Sequence, residues 1–356
     1  MRRVIYSSIL RLFLCFQAGC SMVAVNNQSL EYTTDGPYSI QVIQRRDGSS
    51  DYRWEIDSRI EQVETCRVKY HRLYSTNRFM VVEGTIGNAG NRYPVVLDTG
   101  ASQAVFVKEN HVLENNLQIY PMESVKLDLN GHHLMLCHLP KLKIGSAALV
   151  NQPCFYLERN VKLKFFGLSI AKDDFKDNPV IVGLPALRQF KYIVFDSVRN
   201  EVEFSRNELF EIGQPQLWEK YYFVIEEDFH GNTFLFVRIP IAGKATVLQL
   251  DTGSGRGLAI SEYLWEEIRE RIPDLKLRKD RDLYPYIGSL VCKRGVIPKL
   301  KVGDRTVKNA KISIFPNDSP LVQDCDGLLG MQYFQDTVIV LDFQRNLMWV
   351  KNHKGR

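Results

Sequence analysis

Val95-Val96-Leu97-Asp98-Thr99-Gly100-Ala101-Ser102 has a second copy in this chain, Val247-Leu248-Gln249-Leu250-Asp251-Thr252-Gly253-Ser254. Each copy is an apolar run of strand character that enters an Asp-Thr-Gly turn. One such turn says little, because Asp and Gly are ordinary turn residues. Two of them, each behind a strand and each followed by small residues, put two carboxyl groups on matching turns. That is what an acid–base pair sharing one proton requires.

The repetition extends outward from these turns. Phe79-Met80-Val81-Val82 precedes the first as Phe234-Leu235-Phe236-Val237 precedes the second. Downstream, Leu139-Pro140-Lys141-Leu142-Lys143-Ile144-Gly145 recurs as Ile297-Pro298-Lys299-Leu300-Lys301-Val302-Gly303. Val180-Ile181-Val182-Gly183-Leu184 recurs as Gly327-Leu328-Leu329-Gly330-Met331, and each is followed by an apolar strand ending in Asp196 or Asp342. Landmarks in constant order mark an internal duplication. Both aspartates are expected to end strands at the surface.

Short segments rich in Val, Ile, Phe and Tyr, separated by Gly, Asn, Asp and Pro, predict a mainly β protein. Ser39–Gln44 and Tyr52–Ile56 flank Asp47-Gly48 as a hairpin would. One helix is expected from Ser261 to about Arg271, with Ser261 as cap, Leu264, Trp265, Ile268 and Ile272 on one face, and Pro273 ending it. Gly213-Gln214-Pro215-Gln216 sits in a natural linker.

With 356 residues, 45% hydrophobic and 24% charged, the chain has the length for two domains and the composition of a globular protein. The net charge of +5 is spread along it, which argues against nucleic-acid binding. The first twenty residues read as a targeting leader, with Arg2 and Arg3 ahead of the apolar run Val4–Phe16. Gln17-Ala18-Gly19-Cys20 resembles a bacterial lipobox, departing from it at Gln17. Export to the periplasm or cell envelope is therefore expected, with membrane attachment through a lipidated Cys20.

Of seven cysteines, Cys15 and Cys20 fall in the leader. Cys66, Cys137, Cys154, Cys292 and Cys325 remain, an odd set that allows at most two disulfides, and the sequence does not assign them. His132, His133, Cys137 and His138 look like a metal cluster, but strand alternation divides them between two faces, so a solvated hairpin is expected. No HExxH, GxSxG or GxxxxGK[ST] pattern occurs, and no cofactor or metal is expected.

The paired Asp-Thr-Gly turns, with Ile181-Val182-Gly183 and Leu328-Leu329-Gly330 downstream, resemble the aspartic protease superfamily, both pepsin-like and retropepsin-like, over residues 76–350. The resemblance implies two homologous β-barrel lobes with an active-site cleft between them. With the leader and linker read above, the chain is expected to divide into a leader (1–20), an N-terminal β extension (21–75), a first lobe (76–205), a linker (206–220) and a second lobe (221–356). The resemblance implies that Asp98 and Asp251 activate water for peptide hydrolysis. It also implies that Thr99 and Thr252 cross-link the turns through hydroxyl-to-backbone hydrogen bonds, with Gly100 and Gly253 permitting close approach. The resemblance further implies that Gly183 and Gly330 buttress the turns from behind.

A flap is expected at the Val125–Leu134 hairpin, with Asn130-Gly131 at its turn. Ser254 is expected to donate to Asp251, leaving Asp251 ionised and Asp98 protonated; Ser102 serving Asp98 would restore the balance. The expected partner is a peptide or protein substrate, and the expected state is a monomer. The competing expectation is a non-catalytic peptide-binding or envelope protein on the same duplicated scaffold.

Overall fold

The structure is a computed structural model. It describes residues 25–33, 39–45, 50–55, 57–62, 64–72, 79–87, 90–119, 127–129, 132–157, 164–165, 168–169, 179–227, 232–272, 275–284, 288–319, 321–322 and 325–352. The leader with Cys20, and the turn residues Asn130 and Gly131, lie outside the described residues.

Strands dominate. In the first half these are β1 (Val81–Ile86), β2 (Arg92–Asp98), β3 (Val105–Lys108), β4 (His132–Ile144), β5 (Ala147–Leu157) and β6 (Val180–Gly183). They close into a six-stranded barrel in the order β4-β1-β2-β6-β3-β5, with β5 returning to β4. The run Val95-Val96-Leu97 is apolar throughout because both faces of β2 are covered. Val95 and Leu97 enter the main core, while Val96 packs with Val81, Phe79 and Ile181 on the other face. Burying each such side chain contributes about 1.5–3 kcal/mol.

The second half supplies β7 (Thr233–Arg238), β8 (Val247–Asp251), β9 (Leu258–Ser261), β10 (Gly288–Val302), β11 (Arg305–Phe315) and β12 (Gly327–Gly330). Their pairing repeats that of the first six. β2 lies parallel to β6 with Asp98 opposite Gly183, and β8 lies parallel to β12 with Asp251 opposite Gly330. β3 runs parallel to β5, as β9 does to β11. Where β4 meets β1 in the first half, a bridge between Ile241 and Val302 joins the corresponding segments of the second. The internal duplication is therefore written in hydrogen-bond register as well as in sequence.

These second-half strands belong to a thirteen-stranded sheet. The sheet continues through Glu219–Glu227, Leu347–Asn352 and Thr337–Asp342 to Tyr192–Asp196, Glu201–Ser205 and Cys66–Lys69. Strands from both halves thus share one set of backbone hydrogen bonds. Tyr192–Asp196 pairs antiparallel with Thr337–Asp342, joining the two strands that end the repeat units.

The helix expected after Ser261 spans Glu262–Ile268 and tightens into a 3₁₀ turn over Arg269–Arg271. The Ser261 hydroxyl accepts from the Leu264 amide at 3.1 Å, a cap of the kind that contributes about 1 kcal/mol. Leu264, Trp265, Ile268 and Ile272 are all buried. The two N-terminal strands also pair, Ser39–Arg45 with Ser50–Glu55, and the expected Asp47-Gly48 turn lies outside the described residues.

Two expectations require correction here. Asp342 is fully buried rather than at the surface, where it accepts from the Arg345 amide and guanidinium. Its counterpart Asp196 is half-buried and accepts the Val198 and Arg199 amides, so both carboxylates close turns. His138 is buried on β4 and paired with Asn151 at 3.3 Å, and the loss of water pushes its imidazole pKa down. It does not belong to a solvated hairpin.

Candidate active site

The two Asp-Thr-Gly turns meet. Each begins where its strand (β2 or β8) ends beside a parallel neighbour whose glycine lies opposite the aspartate. Behind the first turn, Gly183 donates to Ala104 and Leu184 donates to Ala101, at 2.9 and 3.0 Å. Behind the second, Gly330 donates to Gly257 and Met331 donates to Ser254, at 2.9 and 2.8 Å. Neither buttressing glycine has room for a side chain. A Cβ at Gly183 would fall 2.0 Å from the Gln103 carbonyl oxygen, and one at Gly330 would fall 2.4 Å from that of Arg256.

The threonines cross between turns. The Thr99 amide donates to the Thr252 hydroxyl at 3.0 Å, and the Thr252 amide donates to the Thr99 hydroxyl at 3.1 Å. Each hydroxyl then donates to the strand of the opposite turn, Thr99 to the Leu250 carbonyl at 2.7 Å and Thr252 to that of Leu97 at 2.6 Å. Both threonines are fully buried, so no water competes for these four bonds.

This crossing sets the carboxyls face to face. A Cβ built on Gly100 would meet the Asp251 carboxyl at 2.7 Å, and one built on Gly253 would meet that of Asp98 at 2.2 Å. Asp98 and Asp251 lie buried together, and burial pushes both carboxyls above the ordinary range. For Asp251 the charge of neighbouring Asp98 adds to the effect of burial. Asp98 is held down by the amides of Gly100, Ala101 and Gly253, the first donating to its Oδ1 at 2.8 Å. The amides of Gly253 and Ser254 act in the same sense on Asp251, so both carboxyls carry donors that favour the charged form, while their shared burial raises both.

The side-chain hydrogen bond expected from Ser254 to Asp251 is corrected here. The Ser254 hydroxyl accepts from the Arg256 amide at 3.3 Å, and its backbone amide rather than its side chain serves Asp251. Ser102 does not serve Asp98 either. Its hydroxyl bonds to Asn232 at 3.3 Å, beside Gln103, which donates to the same Asn232 oxygen at 2.8 Å. Asn232 thus ties the segment after the first turn to the second half, a role that spacing within either repeat does not announce.

Arg256 likewise escaped the sequence reading. It follows the second turn, and its guanidinium pairs with Asp282 on the strand Arg278–Tyr284. Asp282 is fully buried, pairs with Arg294 as well, and accepts from the Ser313 hydroxyl at 2.8 Å. The run Lys279-Asp280-Arg281-Asp282 reads as solvent-facing charge, and only strand alternation, which separates Asp280 from its neighbours' faces, hints at structure. Among the described residues no group of His, Cys, Asp and Glu is arranged to hold a metal ion.

No protein-family model matches the chain. No curated protein matches it either. Among solved structures it resembles conglutin gamma, a basic 7S globulin from lupine seeds, at 10% identity and a TM-score of 0.41, covering 83% of this chain and 95% of that one. It resembles the basic 7S globulin from soybean at 10% identity and a TM-score of 0.43, covering 81% of this chain and 96% of that one. The expected membership of the aspartic protease superfamily is corrected accordingly: these structural neighbours are seed globulins, and no family or curated match supports that membership. A likeness at this level says nothing about chemistry.

Proposed function

We propose that this chain is an exported aspartic-type endopeptidase in which Asp98 and Asp251 activate water against a peptide bond. The observation that carries the reading is the mutual packing of the two turns, each glycine lying against the other turn's carboxyl. Two like carboxyls forced together keep one proton between them, because two adjacent negative charges cannot both persist out of water. A scaffold with no acid–base task gains nothing from confining them.

The chemistry follows from the hydrogen bonds around the pair. The ionised member of the Asp98/Asp251 pair takes a proton from water as the water oxygen bonds to the substrate carbonyl carbon. The protonated member gives its proton to the carbonyl oxygen. Collapse of the tetrahedral species breaks the carbon–nitrogen bond; the proton taken from water leaves with the amine, and the hydroxyl formed from the carbonyl returns its proton to the carboxylate that gave it. The finer architecture in this reading is a pair of homologous β-barrel lobes with a cleft at their junction. Pairing of Leu127–Leu129 with His132–Leu134 supports a flap over the cleft in this reading. A monomer attached to the cell envelope through lipidated Cys20, acting on peptide or protein, completes the proposal.

Cleavage of denatured protein substrates between pH 3 and 7, with and without a statine-type peptide inhibitor, tests it. Inhibitor-sensitive cleavage that disappears in Asp98→Asn and Asp251→Asn supports the enzyme. A folded wild type with no cleavage that still binds peptide would favour the non-catalytic alternative.

A further inference from the structure

Two of the five cysteines outside the leader face each other across adjacent strands. Cys137 on β4 and Cys154 on β5 are direct partners in the antiparallel register. Opposed residues in such a pair have Cα atoms about 4.5 or 5.5 Å apart and side chains on one face, and both separations lie within the disulfide range of about 4.4–6.8 Å. Both residues are fully buried in the core of the six-stranded barrel. Both are free thiols in this structure, and burial, with Cys137 alongside, pushes the Cys154 thiol up.

From this register and burial we infer that Cys137 and Cys154 are joined by a disulfide bond in the mature protein. The fold itself does not demand cysteine at these positions. Cys137 stands two residues before Leu139-Pro140, and the matching residue of the second repeat is Gly295, opposite Ile312 on β11. The other cysteines are engaged elsewhere. The Cys66 sulfur lies against the Ile144 carbonyl and the Ser146 amide, and Cys292 packs with Phe315 and Leu328 in the second half.

Forming the bond needs a disulfide-bearing oxidant, such as a small-molecule disulfide or an oxidised dithiol carrier. One thiolate attacks the carrier disulfide, releasing one carrier thiol and leaving a mixed disulfide. The second thiolate then displaces the remaining carrier sulfur. One sulfur–sulfur bond forms and one breaks; the chain loses two protons and two electrons, and the carrier is reduced to two thiols. Because both sulfurs are sealed from water in the folded barrel, the exchange belongs to folding, before the barrel closes. The bond would tie β4, whose first residues pair with Leu127–Leu129, to β5, which lies against β3 at Val105 just beyond the Asp98 turn. This inference stands apart from the hydrolytic reading and does not depend on it.

The test is to produce the full chain in an oxidising compartment, unfold it in N-ethylmaleimide without reductant, digest it and analyse the peptides by mass spectrometry. The expected result is a linked peptide pair containing Cys137 and Cys154, unlabelled and two hydrogens lighter than the separate thiol peptides. Cys137→Val should leave Cys154 fully labelled. Label on both cysteines of the folded wild type, or either one bonded to a different cysteine, would overturn the inference.

Discussion

Gly253 sits so close to Asp98 that a methyl group on it would fall 2.2 Å from the carboxyl carbon. The reciprocal contact, Gly100 against Asp251, has the same character at 2.7 Å. Each carboxyl is thus walled by the other turn's backbone.

Replacing either aspartate with asparagine should abolish hydrolysis while leaving the fold in place. Loss of a positioned acid or base costs about 10²–10⁴ in rate, so kcat/KM should fall by at least that much in both variants. Circular dichroism should be unchanged. Near-native turnover in either variant would remove the pair from the mechanism.

The same substitutions should act on stability in a pH-dependent way. Burial raises both folded-state pKa values, so between the ordinary carboxylate pKa and the raised ones the folded state binds more protons than the unfolded chain. The pair is least costly below the ordinary value, and its cost grows as pH rises through the raised values. Asp251→Asn should therefore melt higher than wild type at pH 7, with the difference narrowing toward pH 4. A difference that widens on acidification would contradict the raised pKa values.

Thr99→Val keeps the shape of the side chain but orphans the Leu250 carbonyl and the Thr252 amide. Each buried group left unpaired costs about 1–3 kcal/mol, so chemical denaturation should register a loss of about 2–6 kcal/mol. Thr99→Ser, which keeps the hydroxyl, should lose much less. Equal losses in the two variants would assign the effect to packing instead.

Gly183→Ala places a methyl group against the Gln103 and Ala101 carbonyls behind the first turn. Overpacking of this kind costs about 1–3 kcal/mol, and the displaced segment carries Asp98. Activity should therefore fall together with stability. Gly213→Ala, where a Cβ meets nothing within 4 Å, is the matched control and should leave both unchanged.

Asp282→Ala removes the anion shared by Arg256 and Arg294. Both arginines keep part of their surface in water, so the cost should stay below the roughly 3–5 kcal/mol seen when a buried ion is left unpaired. The useful readout is kcat/KM, which should fall because Arg256 anchors the segment that follows Ser254. Unchanged turnover would confine Asp282 to a structural role.

Much of this site could be read from the chain because its parts are local and repeated. Strand, turn and glycine lie within a few residues of each aspartate, and the second copy confirms the first. The cross-turn threonine bonds follow once two turns are set face to face. What escaped was set by contacts distant in sequence or by hydroxyl rotation. Ser102 turns to Asn232 and Ser254 to its neighbour Arg256, although spacing aims both at carboxylates. Asp282 hides in a run of charges because burial is decided by the hairpin around it. Asp342 ends a strand as expected, yet lies inside because the sheet continues past it on both sides.

The crossed threonines also bear on how the molecule opens. The Thr99 amide is protected by a hydroxyl from the second half and the Thr252 amide by one from the first. Neither proton can exchange with solvent through unravelling of its own turn alone. Both await the same separation of the halves, so the two amides should exchange with one shared opening free energy. A hydrogen-exchange experiment would then see two residues, far apart in sequence, behave as one clock for the parting of the duplicated units.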